Sequence, residues 1–203
     1  AENYTITTID GTLEVTPMTD EVVVTIKGHK AEAGYDGTLH SAEGYDVEIS
    51  NTLYKNTDFT FGGKAKVEKT DAGTYPMGLE AKQFTNNNTN FTNVKFEVED
   101  GKLTIKPVEI ELTANSNSKV YDGEALTDSD YKITKGAFVG EEGLASVTVE
   151  GSQTQVGTNA NKITGYTLKD NTKAENYTIT TIDGTLEVTP KNIVPGENNK
   201  DLT

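Results

Sequence analysis

The stretch that decides the fold is AENYTITTIDGTLEVTP, which occupies residues 1–17 and recurs without change at residues 174–190. Apolar and polar residues alternate along it, so that Leu186 and Val188 face one side of a strand and the intervening Thr and Glu side chains face the other. Asp183-Gly184 separates the two alternating runs, as Asp10-Gly11 does in the first copy and Asp100-Gly101 does in a similar run of the first half. Asp-Gly in that position is typical of a two-residue type I′ turn, because such a turn requires positive φ at both central residues. The stretch therefore predicts a β-hairpin that is present twice.

A weaker repeat lies inside the period that separates the two copies. Tyr35-Asp36-Gly37 is followed ten positions later by Tyr45, and Tyr121-Asp122-Gly123 is followed ten positions later by Tyr131. Each half then closes with a similar run, NFTNVKFEVEDGKLTIKP in the first and NYTITTIDGTLEVTP in the second. Landmarks that recur in one order at nearly fixed spacing indicate related domains.

These landmarks predict how the chain is divided. We expect two β-sandwich repeat domains at residues 18–107 and 108–190, and a spacer at residues 191–203. Residues 1–17 are then the closing hairpin of a preceding repeat. Since an isolated hairpin is marginally stable in water, we expect residues 1–17 to pack on an exposed edge of residues 18–107 or on a neighbouring molecule.

The local pattern predicts an all-β protein. Short runs rich in Thr, Val, Ile and Tyr alternate between apolar and polar residues, and only residues 79–84 have a composition suited to a helix. We expect tandem Ig-like β-sandwich domains of about seven short strands each, with β-grasp-like repeats as the alternative. Proline closes each predicted domain and no Gly/Ser-rich linker separates them, which favours an elongated rod.

Composition and charge narrow the classes of function. The formal net charge is −14 and all 18 basic residues are lysine, so the chain repels polyanions and has no guanidinium fork for phosphate. Nucleic acid is therefore a poor partner, and no apolar run approaches the ~20 residues that span a bilayer, so we expect no membrane insertion. With two histidines, no cysteine and no nucleotide-binding or hydrolase motif, the chain is predicted to be non-catalytic and without a cofactor.

Three acidic clusters suggest an alternative to a protein without any bound ion, which is a structural Ca²⁺ at a turn or domain junction, because Ca²⁺ takes hard oxygen ligands. None of these clusters has the spacing of an EF-hand loop. They lie at residues 97–100, 128–130 and 141–142.

Three groups of residues are candidates for a specific role. The first is the pair of Tyr-Asp-Gly motifs, whose members are Tyr35, Asp36 and Gly37 and then Tyr121, Asp122 and Gly123. We interpret them as structural, since Gly allows a turn, Asp caps it and the ring packs on the sheet edge. A binding face is the other interpretation.

The second group is an Asn-rich loop found only in the first half. Phe84 and Phe91 bracket this loop, which contains Asn87 and Asn88. If the chain binds a ligand, these four residues are the predicted site. The third group is Lys119 with Asn176, a pair of the kind that condenses to an isopeptide bond beside a carboxylic acid and releases ammonia; a solvated Lys119 is the alternative.

The second half resembles the repeats called MBG and YDG, which occur in large cell-wall-anchored surface proteins of Firmicutes. The resemblance rests on ANSNSKVYDGEALTDSDY, VEGSQTQVGTNANKI and NYTITTIDGTLEVTP, and more loosely on YDG, GTYPMGL and DGKLTIKP in the first half. It implies an extracellular, repetitive stalk or adhesin segment at a bacterial surface, anchored to the cell wall through other regions, and it implies no catalytic residues. The alternative is that the repeats are themselves weak multivalent binders of mucin, glycan or host matrix protein.

Overall fold

The computed structural model describes residues 3–192, and over this range the protein is all-β. Its helices within that range are three 3₁₀ turns, at Asn56–Asp58, Ala81–Gln83 and Ala174–Asn176. The strands of the first half are β1 (Val22–Gly28), β2 (Lys30–Gly34), β3 (His40–Glu43), β4 (Tyr45–Ile49), β5 (Phe59–Phe61), β6 (Lys66–Lys69), β7 (Gly73–Pro76), β8 (Phe84–Asn86) and β9 (Val94–Glu99). Those that follow are β10 (Lys102–Lys106), β11 (Val108–Ala114), β12 (Asn117–Val120), β13 (Tyr131–Lys135), β14 (Leu144–Glu150), β15 (Gly157–Leu168), β16 (Tyr177–Ile182) and β17 (Gly184–Thr189).

The chain forms two compact units that are interleaved in sequence. Within the described range, unit 1 contains residues 3–31, 41–67 and 76–103. Unit 2 contains residues 32–40, 68–75 and 104–192. The contiguous domains 18–107 and 108–190 stay predictions about the repeat, and the predicted spacer from residue 193 onward lies outside the described residues. The chain also has the small sheets β2-β10-β7 and β3-β6.

In unit 1, β1 is the central strand of a mixed sheet in the order β4-β1-β9. It runs antiparallel to β4 and parallel to β9, with Val22 opposite Val94. Val22, Val24 and Ile26 are fully buried and alternate with half-buried residues. This face packs on a cluster of aromatic rings, which includes Tyr54, Phe59, Phe84 and Phe91. A second, two-stranded sheet pairs β5 with β8.

Unit 2 repeats this arrangement around β11. The sheet order is β13-β11-β16, and β11 is antiparallel to β13 and parallel to β16. A four-stranded sheet, β12-β17-β15-β14, adds the buried residues Leu186 and Val188 of β17. The parallel pairing of the first strand with a late strand occurs in both units, whereas the immunoglobulin sandwich is built from two antiparallel sheets.

The predicted Asp-Gly hairpins are wrong. β16 and β17 join different sheets instead of pairing with each other, and neither Gly184 nor Gly101 has positive φ. The glycine is needed for another reason, which is close backbone approach. A Cβ on Gly184 would lie 2.2 Å from the carbonyl oxygen of Asn115, and one on Gly101 would lie 2.5 Å from that of His29. In each unit the Asp-Gly pair is therefore a crossover that carries the chain from one sheet to another.

The expectation that residues 1–17 dock onto their own chain is also wrong for the described part of that stretch. Residues 3–17 form no strand. Their apolar side chains are exposed, and these are Tyr4, Ile6, Ile9, Leu13 and Val15. The first bridge of the chain comes at Met18, which lies beside Phe91. Packing on a neighbouring molecule stays a prediction.

Candidate functional site

The candidate site is the set of residues in unit 2 that contact the second copy of the repeated peptide. We call residues 174–189 the closing segment, and the residues of unit 2 that contact it the slot. β16 of the closing segment adds to the edge of β11, with Val108 opposite Tyr177. β17 lies between β12, to which it is parallel, and β15, to which it is antiparallel. The closing segment thus completes two sheets.

Apolar burial fixes the β17 half of the closing segment. Leu186 and Val188 are fully buried and pack with Leu126, and Tyr121 covers the same cluster. Burial of an aliphatic side chain contributes about 1.5–3 kcal/mol, so these two residues stabilise the β17 half of the closing segment in its place. The remaining side chains of β17 alternate outward, in keeping with the predicted face.

A buried side-chain amide lies beside the crossover at which the closing segment passes from the sheet of β16 to the sheet of β17. Asn161 on β15 lies opposite Gly184 and is fully buried. Its Nδ2 donates hydrogen bonds to the carbonyl oxygens of Asn115 and Asp128, at 2.9 and 3.0 Å. Because Gly184 itself approaches the backbone of Ala114 and Asn115, a side chain at that position would push the crossover off this support.

A carboxylate clamps the start of β16 through two tyrosines. The hydroxyl of Tyr35 donates to Glu142 at 2.6 Å, and the hydroxyl of Tyr177 donates to the other oxygen of the same carboxylate. The Tyr177 oxygen also accepts the backbone N–H of Val139 at 2.9 Å. The two rings meet edge to face with centroids 5.7 Å apart, and Phe138 packs on Tyr177. Such aromatic pairs contribute about 0.5–1.5 kcal/mol beyond area burial.

The environment of the two phenols keeps them neutral. Burial raises the pKa of Tyr177 to about 12, and the hydrogen bond to Glu142 acts in the same direction. Burial and then Glu142 also raise the pKa of Tyr35. Neutral phenols are hydrogen-bond donors, so both hydroxyls can donate to the carboxylate of Glu142.

A second polar cluster holds the 3₁₀ turn that opens the closing segment. Asn176 is 1% exposed, and its Oδ1 accepts the backbone N–H of Ala72 at 2.7 Å. Its Nδ2 donates to Oδ1 of Asp71 at 3.1 Å, and Oδ2 of Asp71 accepts from Nζ of Lys173 at 2.6 Å. Nearby, the buried Thr172 accepts the N–H of Gly143 through its hydroxyl at 2.8 Å. The amide of Asn176 is therefore the polar anchor of the closing segment.

The predicted isopeptide pair is not brought together. Lys119 forms an ion pair with Asp122 at 2.8 Å, whereas both ends of the Asn176 amide are engaged by Ala72 and Asp71. No hydrogen bond joins Lys119 to Asn176, both of which lie in the described range. The cause is topological, because Lys119 pairs in register with Val188 at the far end of the closing segment.

An isopeptide bond needs a lysine, an asparagine and a carboxylic acid, and these groups come together at Lys173, Asn176 and Asp71. Their charge states, however, disfavour the condensation. A lysine attacks an amide carbon as the neutral amine, and a carboxyl group assists as the protonated acid. Here the hydrogen bond to Asp71 raises the pKa of Lys173, and the hydrogen bonds from Lys173 and then Asn176 lower the pKa of Asp71. The trio is therefore an ion pair that supports a buried amide.

The Tyr-Asp-Gly motifs adopt the turns predicted for them. Asp36 accepts from the N–H of Thr38 at 2.8 Å, and Asp122 accepts from the N–H of Glu124 at 3.0 Å. Gly37 and Gly123 have φ of +78° and +88°, in the left-handed region that glycine adopts without strain. Hydrogen bonds from Thr38, assisted by His40, hold the pKa of the Asp36 carboxyl at about 2.

The tyrosines of the two motifs differ in their surroundings. Tyr35 is buried in the Glu142 clamp, and Tyr121 covers Leu186 and Val188. The partner of the Tyr35 hydroxyl is thus 107 positions away in the sequence. A role for either motif in binding stays a prediction.

The predicted ligand site of the first half is partly built into the core. Phe84 and Phe91 are buried in the aromatic cluster of unit 1, which corrects the prediction that these rings present a binding surface. They are buried because they close the apolar face of β1. Asn87 is exposed and Asn88 half-buried. Binding by these two residues stays a prediction.

The histidines and the acidic clusters of the described range form no catalytic or metal-binding constellation. His29 bonds the carbonyl of Glu43 and lies 3.3 Å from Asp46, and the first of these contacts contributes most to its raised pKa. No group of three or more His, Asp or Glu side chains within residues 3–192 is arranged to hold a metal ion. None of the helices in that range has the length and apolarity needed to cross a membrane.

Comparison with known proteins adds no relative: no protein-family model, curated protein or solved structure gives a match to this chain. The resemblance to MBG and YDG repeats therefore stays an expectation from the residues that carry it.

Sequence reasoning missed the residues that make the slot. Asp71, Glu142 and Asn161 are single polar residues in polar stretches, and each bonds a partner 33 or more positions away. One signal was available. Asn176 and Tyr177 are the third and fourth residues of the second copy, as Asn3 and Tyr4 are of the first, and polar residues inside a strand-forming repeat invite a search for buried partners.

Proposed function

We propose that this chain is a structural stalk or spacer segment of a repetitive bacterial cell-surface adhesin, without catalytic activity. In this proposal the repeats are Ig-like β-sandwich domains joined in a rod, and their partners are the neighbouring repeats of the same chain. The protein is extracellular and is held at the cell wall through other regions.

One observation carries the proposal. The peptide that recurs without change is, at residues 174–189, the segment that completes two sheets of unit 2. A peptide kept identical for its fit to the slot is a building element of the repeat. Units 1 and 2 also share one sheet order around β1 and β11, as expected for repeats of one design.

The polar surface is in keeping with a spacer. The net charge of −14 keeps long arrays soluble and apart from one another, and alternating strands place Thr and Glu outward. Ion pairs such as Lys27 with Glu48 and Lys135 with Glu109 lie on exposed strand surfaces, where each contributes little to stability and much to solubility.

The experiment varies the number of periods. The full chain is compared with chains extended after Pro190 by one and by two further copies of residues 18–190. We expect the maximum dimension from small-angle X-ray scattering to rise by the same increment with each copy. An increment close to zero, as in a collapsed cluster, would overturn the stalk.

The same proteins distinguish the alternative. They are immobilised at equal mass and exposed to mucins, glycans and matrix proteins. A stalk gives no binding at any copy number. Binding that strengthens with copy number would show that the repeats are multivalent binders, and the exposed Asn87 would then be the first residue to replace by Ala.

A further inference from the structure

The first copy of the repeated peptide is identical in sequence to the segment that fills the slot, but it lies outside the slot. Its apolar residues are exposed, with Leu13 at 104% of its reference area, whereas the matching Leu186 is at 0%. Five large apolar side chains on one unpaired stretch of 15 residues are a liability in water unless a partner covers them.

We propose that the slot is an interaction site between copies of this chain, which accepts residues 1–17 of a second copy in place of the closing segment. The occupant follows from identity of sequence. Every contact of the closing segment has the same donor, acceptor or apolar group available in residues 1–17, because each residue of one matches the residue 173 positions later.

Each anchor of the closing segment has its counterpart in the first copy. Asn3 would take the place of Asn176 beside Asp71, and Tyr4 that of Tyr177 beside Glu142. Gly11 would take the crossover of Gly184, where only glycine clears the backbone of Asn115. Insertion is therefore β-strand addition with preformed side-chain pockets.

The two occupants differ only in how they are tethered. The closing segment follows β15 in the same chain, so it has a high effective concentration at its own slot and occupies it in a single molecule. A second copy can enter once the closing segment is released or weakened. The intrinsic contacts are equal, so the outcome then depends on protein concentration.

The tether of the incoming copy sets the geometry of the assembly. Pro17 is followed directly by Met18, whose backbone is bonded to Asn90 and Thr92 in unit 1. Insertion therefore links unit 1 of one molecule to unit 2 of the next. Such a contact is heterologous when it is made in one direction only and then extends head to tail into chains, whereas reciprocal exchange between two molecules closes as a dimer.

The test uses the full chain and four proteins: the native sequence, Leu13→Asp, Leu186→Asp, and both substitutions together. Molecular mass by light scattering and thermal midpoint are measured over a hundredfold range of protein concentration. We expect the native chain and Leu13→Asp to be monomers of equal midpoint. Leu186→Asp should unfold at a lower temperature when dilute, and recover its midpoint at high concentration as dimers and longer chains form.

The double variant is the matched control, since it lacks an intact copy to insert. It should show neither recovery nor ordered assembly, which separates strand exchange from aggregation of an unfolded chain. Recovery of Leu186→Asp that does not depend on concentration would mean that its own N-terminal segment fills the slot, and would overturn the second-copy proposal.

A peptide experiment covers the case in which the variants fold poorly. A synthetic peptide of residues 1–17 is added to Leu186→Ala, a milder weakening of the same anchor, and the peptide carrying Leu13→Asp serves as control. The native peptide should raise the thermal midpoint by several degrees as its concentration increases. No difference between the two peptides would overturn the proposal, whatever the result of the length measurements on extended chains.

Discussion

The same 17 residues take two forms in one molecule. At residues 177–189 they are two strands in two sheets, with Leu186 and Val188 buried, whereas the equivalent residues 4–16 form no strand and expose Leu13 and Val15. Local sequence is identical, so the difference comes entirely from what surrounds it. Strand formation here is a property of the edge of β11 and of the gap between β12 and β15, in keeping with the strong context dependence of β propensity.

The comparison separates two kinds of contribution that are usually mixed. A substitution in the first copy changes propensity and solvation alone. The same substitution in the second copy adds the loss of tertiary contacts. Matched pairs of variants, measured at a protein concentration at which the chain is monomeric, therefore isolate the contribution of the slot.

The largest difference is expected for the apolar anchor. Leu186→Ala should lower the free energy of unfolding by about 2–5 kcal/mol, because a fully buried leucine leaves a cavity. Leu13→Ala should change it by no more than about 0.5 kcal/mol, since the side chain is exposed. Urea unfolding followed by circular dichroism measures both. Equal effects of the two substitutions would mean that residues 1–17 are held as firmly as the closing segment.

The crossover glycine gives a second matched pair. Gly184→Ala should cost about 1–3 kcal/mol, because the new Cβ would lie 2.2 Å from the carbonyl oxygen of Asn115 and the backbone must shift. Gly11→Ala meets nothing within 4 Å and should be neutral or slightly stabilising. Thermal unfolding of the two variants measures this difference in stability. A neutral Gly184→Ala would show that the close backbone approach at this position does not require glycine.

The phenol clamp should give a smaller difference. Tyr177→Phe keeps the ring and its packing on Phe138 but removes the hydrogen bonds to Glu142 and Val139, with an expected cost of about 1–2 kcal/mol. Tyr4→Phe removes an exposed hydroxyl and should have no measurable effect. Glu142→Gln combined with Tyr177→Phe forms a double-mutant cycle, and additive effects in that cycle would contradict the clamp.

The sequence could predict those features of the fold that depend on residues close together in the chain. The alternating runs gave an all-β chain, the face of Leu186 and Val188, and the Asx turns with left-handed glycine at Gly37 and Gly123, all of which the structure confirms. These features depend on period and on turn chemistry, both of which are readable within ten residues.

The features that were missed depend on pairing over long distances. β11 pairs with β16 about 70 positions away, and the Asp-Gly crossover is a consequence of that pairing. Glu142 and Asp71 become visible as anchors only when the fold places them beside Tyr177 and Asn176. A close approach of two backbone segments, as at Gly184, also produces no periodic pattern in the sequence. Glycine is found both at turns and at such close approaches, so the residue type alone does not distinguish them.

The smallest expected effect concerns pH and the support of Asn176. The hydrogen bonds from Lys173 and then Asn176 lower the pKa of Asp71 from its ordinary value of 3.8. A depressed folded-state pKa contributes stability that is present above the unfolded pKa and is lost as pH falls through the folded value. Native protein should therefore lose stability more steeply than Asp71→Asn below about pH 4, and the two pH profiles should run parallel between pH 5 and 8. Urea midpoints over the acid range measure this difference, and because Asp36 and the exposed carboxylates titrate in both proteins, their contribution cancels. Profiles that stay parallel down to pH 2 would mean that the Asp71 carboxylate does not hold the closing segment, and the anchor would then reduce to the bond between Asn176 and the backbone of Ala72.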